Sequence, residues 1–303
     1  MQVSEVIGRK SRALGEKLRK SLTKQAHLPY VGPISLWIIA FVFAPLGVML
    51  YFSLLSAGDW GAIIHTFTFE NYQFLFKGKY LTILLRTLGF AFAANMICLL
   101  IGYPIAHSIV AYGGRWKITL LFFIILPSWI CFLVRIYALW SLTSYGGVIN
   151  TVLLNLGLIE VPLAILGTPY IVMFGLVLTY IPYMVLPIYA SLEGLDPSLL
   201  EASADLGATP LKRFLTVTLP LTKGGIFAGI ILVFIPCLGA WALPLLLGGG
   251  KVMLAGNLIA LHFTAVGNIP MGSSIASTLT ALILLILYLC IKGGGKGMLE
   301  RVA

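Results

Sequence analysis

A short polar segment between two long apolar runs carries the most distinctive residue spacing in the sequence. Glu201, Ala202 and Ser203 are followed by Asp205 and then by Gly207. On a helix, Glu201 and Asp205 would lie on the same side, because residues four apart are neighbours on a helix surface. Carboxylates that have no paired nucleophile and base beside them offer contact chemistry rather than catalysis. We therefore interpret the segment as a surface for another protein.

The residues around this pattern predict a short helix over residues 197–206. Asp196 is a good N-cap, and Pro197 suits the first helical position. Gly207 can adopt the left-handed conformation that closes a helix. Thr209-Pro210 then repeats the cap and proline for a second helix. An isolated helix of about ten residues is marginal in water, so we expect a protein surface to hold it.

No other segment predicts catalysis, nucleotide binding or a metal site. Two Gly-Gly-Gly-Lys runs continue with Val252 and Gly297, whereas a phosphate-binding loop needs Ser or Thr after the lysine. The four histidines are scattered, and the four cysteines lie in apolar runs without metal-ligand spacing. We predict that the chain is not an enzyme and has no catalytic residue, metal ligand or cofactor of its own.

The composition predicts an integral membrane protein. Of the 303 residues, 59% are hydrophobic and 10% are charged, whereas soluble proteins carry roughly a quarter charged residues. A bilayer core about 30 Å thick needs about 20 apolar residues in one helix. Six runs meet this length and predict an all-α fold with six transmembrane helices, at residues 33–55, 87–112, 118–142, 168–192, 224–250 and 269–291.

The basic residues predict the orientation of these spans. Fifteen of the 20 Lys and Arg residues lie in the N-terminal segment, the turn after the second span, the loop after the fourth span and the C-terminal tail, against three in the loops on the other side. Because cytoplasmic loops are enriched in Lys and Arg, we expect both termini and the loop 193–223 in the cytoplasm. The predicted organisation is a basic cytoplasmic segment at 1–32, a transmembrane domain at 33–291 and a cytoplasmic tail at 292–303.

Three further segments have the properties of contact regions. The N-terminal segment places apolar residues at near-helical spacing among basic ones, so it either lies on anionic membrane lipid or forms a disordered tail. The outward loops at 56–80 and 143–167 are rich in aromatic or apolar residues. Each loop either receives a partner outside the membrane or anchors the chain at the interface.

The spacing of Glu201-Ala202-Ser203, Gly207 and Leu219-Pro220 resembles the EAA motif of ABC importer permeases. The family pattern is Glu-Ala-Ala, three residues, Gly, nine residues and Ile-x-Leu-Pro, from which Ser203 and Val217 are mild departures. The resemblance implies that the helix at 197–206 is a coupling helix in a cleft of an ATP-binding subunit, which binds ATP and Mg²⁺. It implies ATPase-coupling roles for Glu201, Ala202, Ser203, Asp205, Gly207, Leu219 and Pro220.

Other segments are similar to one branch of that family, the permeases of spermidine/putrescine importers. They are Gly102-Tyr103-Pro104 and the stretches 126–129, 134–138, 182–187 and 220–226. This resemblance implies a type I ABC importer fold in a bacterial inner membrane. It also implies a dimer of ATP-binding subunits, a second related permease subunit, and a periplasmic or lipid-anchored substrate-binding protein.

Aromatic side chains and one arginine are candidates for the solute path. A polyamine is a polycation, yet none of the ten Asp and Glu residues lies in the middle of a predicted span. Aromatic faces can bind ammonium groups instead, with about 0.5–2 kcal/mol each; the alternative is that these rings pack in the bilayer or at its interface. The candidates are Trp129, Arg135, Tyr137, Tyr180, Tyr183 and Trp241, with Trp140 as a further aromatic.

Arg135 is the only charged residue within a predicted span. A buried arginine costs at least about 2.5 kcal/mol and therefore needs a partner or water. It either binds backbone carbonyls of another helix, lines the solute path, or extends to the outer interface. If it lines the path, an anionic or zwitterionic organic solute is the alternative to a polyamine. An ion-coupled secondary carrier is a more distant alternative, which the lack of carboxylates within the spans disfavours.

Overall fold

The computed structural model describes residues 28–58 and 61–293. The predictions for 1–27 and 294–303, which concern the basic N-terminal segment and most of the cytoplasmic tail, lie outside these residues. The described helices are α1 (Leu28–Ser53), α2 (Glu70–Leu75), α3 (Lys79–Tyr112), α4 (Lys117–Trp129), α5 (Phe132–Thr143), α6 (Val148–Asn155), α7 (Pro169–Glu193), α8 (Pro197–Asp205), α9 (Pro210–Arg213), α10 (Leu219–Leu221), α11 (Lys223–Leu238), α12 (Ala242–Leu247), α13 (Ala255–Thr264) and α14 (Ile269–Gly293). A 3₁₀ turn at Gly114–Trp116 precedes α4, and a π-helical turn at Phe214–Thr218 joins α9 to α10.

The chain divides into two compact units between Phe52 and Ser53. The described part of the first unit is α1 up to Phe52, and the 26 residues of α1 contain no charged side chain. At 1.5 Å per residue α1 is about 39 Å long, which is enough to cross a bilayer core. The length and composition of α1 confirm the first predicted span. The helix begins at Leu28, five residues before the predicted start at residue 33.

The second unit begins with an antiparallel hairpin that the sequence does not predict. Strand β1 (Leu55–Ala57) pairs with β2 (Ile63–Phe67), and the register is irregular between Leu55 and Ser56. The buried Asn71 of α2 holds the base of the hairpin, since its Nδ2 donates to the carbonyl oxygens of Ser53 and Leu55 at 3.1 and 2.8 Å. The described residues of the predicted outward loop, 56–58 and 61–80, therefore form ordered structure.

The long helices agree with five or six spans. Five stretches in the described ranges are long and apolar enough to cross a membrane: four lie on α1, α3, α7 and α14, and the fifth, Phe132–Asn155, comprises α5 and α6. A sixth is added if the bent pair Pro210–Leu221 and Lys223–Leu238 is one span. The predicted spans at 168–192 and 269–291 correspond to α7 and α14. The second span is longer than predicted, because α3 begins at Lys79 and includes Arg86. Arg135 is therefore not the only charged residue on a long apolar helix.

The third predicted span is not one helix. It consists of α4 and α5, which are separated by Ile130 and Cys131, and Ile130 has extended backbone angles (φ −75°, ψ 136°). Pro127 lies three residues before this break. A proline crowds the turn that precedes it, and α4 continues through that turn to Trp129, so Pro127 alone does not explain the break. The prediction of a continuous helix over 118–142 is wrong.

The fifth predicted span, over 224–250, is also interrupted. Helix α11 ends at Leu238, two residues after Pro236, and α12 begins only at Ala242. The 16 residues of α11 rise about 24 Å, which is less than the bilayer core of about 30 Å. The segments before and after α11 must therefore complete the crossing.

Helices α3, α7 and α11 pack against one another and form the centre of the second unit. Glycines allow the close approach: a Cβ at Gly229 would meet Met184 of α7, and a Cβ at Gly225 would meet the carbonyl oxygen of Pro187 and the Ser191 side chain. In lipid, helices gain little from burying apolar surface against each other, so such small-residue contacts determine which helices associate.

Adjacent glycines at the start of α11 allow this packing to be tested. Gly225→Ala should destabilise the protein by about 1–3 kcal/mol, because the added methyl group forces α11 away from α7. Gly224→Ala is the matched control, since a Cβ at Gly224 has no neighbour within 4 Å. Thermal unfolding in detergent measures both variants. Equal unfolding temperatures for the two would contradict the proposed contact.

Candidate functional site

The predicted contact helix is present as α8, over Pro197–Asp205. Asp196 is its N-cap, and Oδ1 of Asp196 accepts a hydrogen bond from the Ser198 N–H at 2.9 Å. This bond lowers the pKa of the Asp196 carboxyl below its ordinary value, because it stabilises the charged form. Pro197 occupies the first helical position. Both sequence predictions for the start of the helix are confirmed.

The end of α8 is closed by a Schellman motif. Gly207 has φ +77°, its N–H donates to the Ala204 carbonyl at 2.9 Å, and the Ala208 N–H donates to the Ser203 carbonyl at 3.1 Å. These two bonds satisfy carbonyls that a helix end leaves free. The predicted role of Gly207 is confirmed, and the helix ends at Asp205, one residue earlier than predicted.

Helix α8 has no buried residue. Glu201, Ala202 and Asp205 are exposed, and Ser203 is half-buried, with its Oγ donating to the Leu200 carbonyl at 2.8 Å. Large apolar side chains are exposed as well, at Leu199, Leu206 and Leu211. Exposed leucines beside carboxylates, on and directly after a helix too short to be stable alone, are typical of a surface that another protein covers.

Residues 209–222 join α8 to the membrane helix α11. We call this rigid segment the elbow; it consists of α9, the π-helical turn, α10 and the bend at Thr222. Helix α9 begins at Pro210 with the Thr209 cap, as predicted, but after one turn it widens into the π-helical turn. The Leu219 N–H donates to the Phe214 carbonyl, five residues earlier. Pro220 follows at once and cannot donate a backbone hydrogen bond. Beyond it, the chain bends by 64° between Pro210–Leu221 and Lys223–Leu238.

Leu219 and Pro220, the last predicted coupling residues, are half-buried in this elbow.

The sequence did not predict two further contacts near the elbow. Nζ of Lys117, at the start of α4, donates to both carboxylate oxygens of Glu193 at 3.0 and 2.9 Å, directly before the loop. The hydroxyl groups of Tyr103 and Thr222 are 3.0 Å apart and buried. No sequence signal pairs these residues, which are 76 and 119 positions apart.

The aromatic residues predicted for the solute path do not form one cluster. Among the described ring contacts, only Tyr180 and Tyr183 meet, with centroids 6.2 Å apart. Tyr180 is buried and donates to the Pro236 carbonyl at 3.3 Å, whereas Tyr137 and Trp241 are exposed. Trp129 is also exposed and packs on Phe122 of its own helix, and Trp140 is exposed on α5.

Arg135 lies in a small cavity between α5, α7 and α12. Its Nε and Nη1 atoms are buried and have no hydrogen-bond partner among the described residues. The cavity has a volume of about 10 Å³ and is also lined by Leu139, Gly175, Thr179 and Leu243. This is room for about one water molecule. The interpretation that Arg135 links helices through backbone carbonyls has no support in this geometry.

Comparison with known proteins identifies the family. The family described as "Binding-protein-dependent transport system inner membrane component" matches residues 94–293. The chain belongs to this family. Spermidine/putrescine transport system permease protein PotB of Haemophilus influenzae is 39% identical over 83% of this chain and 88% of its own length. PotB of Escherichia coli is 39% identical over 80% of this chain and 89% of its own length.

A solved structure shows the same fold. A bacterial ABC transporter involved in the import of the acidic polysaccharide alginate contains a chain that superposes with a TM-score of 0.69 at 16% sequence identity. The match covers 91% of this chain and 97% of that chain. Together with family membership, this confirms the all-α, type I ABC importer permease fold. The chain is an inner-membrane permease subunit and not an enzyme.

The closure of α8 gives a prediction for coupling. Gly207→Pro should abolish transport and weaken binding to the ATP-binding subunit by more than about tenfold, since a left-handed conformation costs a residue other than glycine about 1–2 kcal/mol and proline cannot adopt it. Proline also removes the N–H that bonds to Ala204. Co-purification of the ATP-binding subunit and ATP-driven uptake measure the effect.

Gly207→Asn is the matched control for this variant. Asparagine tolerates the left-handed conformation, and a Cβ at position 207 meets no atom within 4 Å. The asparagine variant should retain association and uptake. Normal uptake by the proline variant would show that the closure of α8 is not required.

Proposed function

We propose that this chain is one of two permease subunits of an ATP-driven importer of polyamines such as spermidine and putrescine. The observation that carries the proposal is the 39% identity to PotB over 83% of the chain. The capped, exposed helix α8 on a rigid elbow supports the same function, because a transmembrane pore driven by another subunit needs a stiff contact element at its cytoplasmic surface.

The proposed partner of α8 is a dimer of ATP-binding subunits. Leu199 and Leu206 would enter an apolar cleft of that partner, and Glu201 and Asp205 would meet polar or basic groups at its rim. ATP and Mg²⁺ would be bound entirely by the partner. The 15 Lys and Arg residues on one side of the membrane support a cytoplasmic position for this loop.

The proposed mechanism is alternating access. ATP binding closes the partner subunits and displaces α8, and the elbow passes this displacement to α11 and to the helices packed on it. The pore then opens outward to receive solute from a substrate-binding protein. Hydrolysis and release of the nucleotide return the pore to the inward-open state. A second, related permease subunit supplies the other half of the pore.

The outward elements are the proposed contact surface for the binding protein. The hairpin is fixed at its base by Asn71, and Phe67, Phe69, Phe74 and Phe76 around it are exposed. An ordered hairpin with exposed rings can hold a docked protein in one orientation, which a flexible loop cannot.

The solute route is proposed to use aromatic faces from this chain. The exposed Tyr137, Tyr183 and Trp241 can each contribute about 0.5–2 kcal/mol to an ammonium group through cation–π contact. Carboxylates along the route would come from the second permease subunit. The Nε and Nη1 atoms of Arg135, which have no hydrogen-bond partner among the described residues, favour one alternative, an importer of an anionic or zwitterionic organic solute.

Uptake by the complete transporter in proteoliposomes distinguishes the two solute classes. Radiolabelled spermidine and putrescine should enter only when ATP and the binding protein are both present. An acidic amino acid and a dicarboxylate serve as the competing solutes. ATP-dependent uptake of either anion, without uptake of polyamine, would overturn the polyamine proposal and support the alternative.

A charge reversal tests the position of α8 against the ATPase. Glu201→Lys should reduce co-purification of the ATP-binding subunit by about fivefold or more, since rim charges of interfaces affect association. Glu160→Lys makes the same change at an exposed residue of the opposite loop and should leave this association unchanged. If both variants retain the ATP-binding subunit equally, α8 is not its contact site.

A further inference from the structure

We propose that Tyr103 of α3 is a positioning residue that transmits the displacement of α8 to the second span, through Phe214 and Thr222. This inference rests on the proposed importer function. The elbow by itself leads only from α8 into α11. Tyr103 provides a second connection, from the elbow into α3 and, through α3, into α7.

Tyr103 touches the elbow at two points. Its ring packs edge-on against Phe214, with centroids 5.5 Å apart and planes at 85°. Its hydroxyl lies 3.0 Å from Oγ1 of Thr222. Phe214 is the first residue of the π-helical turn, and Thr222 is the residue at which the 64° bend occurs. One side chain of α3 therefore contacts both ends of the elbow.

The direction of the hydrogen bond follows from the other bond of Thr222. The Thr222 hydroxyl donates to the Thr218 carbonyl at 2.8 Å, and it has only one proton. Thr222 therefore accepts from the Tyr103 hydroxyl. Both residues are buried, so neither group exchanges this partner for water. The contact is fixed in direction and shielded from solvent.

The turn of α3 that carries Tyr103 also contacts α7. A Cβ at the adjacent Gly102 would lie 3.1 Å from Met184 and 3.4 Å from Val185. His107, one turn further along α3, adds a second edge-on contact to Phe214 with centroids 6.2 Å apart. Displacement of the π-helical turn thus reaches α3 through two rings and reaches α7 through the backbone at Gly102.

Helix α8 contacts the π-helical turn, which completes the connection from the ATPase surface to the second span. A wider turn has poorer hydrogen-bond geometry than an α-helix and is often found at functional positions. In this protein it brings Phe214 to the surface of α3. The rigid parts on either side, the closed helix α8 and the packed helix α3, transmit a displacement that a flexible linker would lose.

The test compares uptake with ATP hydrolysis in the complete transporter. Tyr103→Phe removes only the hydroxyl, Thr222→Val removes its acceptor, and Phe214→Leu removes the ring. We expect the ratio of spermidine taken up to ATP hydrolysed to fall about fivefold or more in each variant. A fivefold change is at the lower end of the effects usual for coupling between two sites. Basal ATP hydrolysis should stay within about twofold of the wild type. The double variant at 103 and 222 should resemble Thr222→Val alone, because Thr222→Val already removes the bond to Tyr103 together with the bond to the Thr218 carbonyl.

Tyr112→Phe is the matched control, since Tyr112 is an exposed tyrosine at the end of the same helix. It should keep the wild-type ratio of uptake to hydrolysis. A wild-type ratio in Tyr103→Phe and Phe214→Leu would overturn the inference. A parallel fall of uptake, hydrolysis and unfolding temperature in these variants would also overturn it, because that result indicates packing alone.

A second measurement does not depend on the solute. Spin labels at the exposed Ser108 of α3 and Leu284 of α14, in a chain whose four cysteines are replaced by alanine, report the movement of α3 when ATP is bound. The wild type should show a distance change that Tyr103→Phe reduces or removes. Equal changes in the two, or none in the wild type, would overturn the inference. A positive result without polyamine uptake would refute the proposed substrate and leave the role of Tyr103 supported.

Discussion

The bend at Thr222 is the constraint on which the rest of this structure depends. The loop that contains α8 becomes a membrane helix there, and a bend in a helix can free backbone groups that lipid cannot satisfy. The side chain of Thr222 adds hydrogen bonds at this bend: its hydroxyl donates to the Thr218 carbonyl, which also accepts from the Thr222 N–H, and it accepts from Tyr103. The Thr222 hydroxyl thus ties the bend to α3. The close packing of α11 on α7 through Gly225 begins directly after it.

Local chemistry explains which features could be predicted from the sequence. Asp196, Pro197, Gly207 and Thr209 act within a few residues of themselves, through caps and backbone conformation, and the structure contains each of these features. The apolar runs likewise identified the first, second, fourth and sixth spans, because their length is a property of one segment. Family membership confirms the permease assignment that the EAA-type spacing suggested.

Features that depend on distant partners could not be predicted. Pro127 and Pro236 both lie within predicted spans, but whether a helix continues past a proline depends on which neighbours satisfy the freed groups. The structure breaks the third and fifth spans near these residues. The pairs Tyr103–Thr222 and Lys117–Glu193 have no local signature. The aromatic residues proposed for the solute path were chosen by type alone, and the fold brings only Tyr180 and Tyr183 into contact among the described rings.

The exposed leucines on and beside α8 also have a consequence for a subunit that has not yet assembled. If α8 faces the cytosol and contacts an ATP-binding subunit as proposed, a copy synthesised without that partner would present Leu199, Leu206 and Leu211 to the cytosol, and apolar groups exposed in this way favour aggregation and recognition by proteases. Binding of the partner would hide them. Under the proposed function, the helix that receives the displacement from the ATP-binding subunit would also mark an unassembled subunit for removal, which would help to keep the amounts of the subunits in balance.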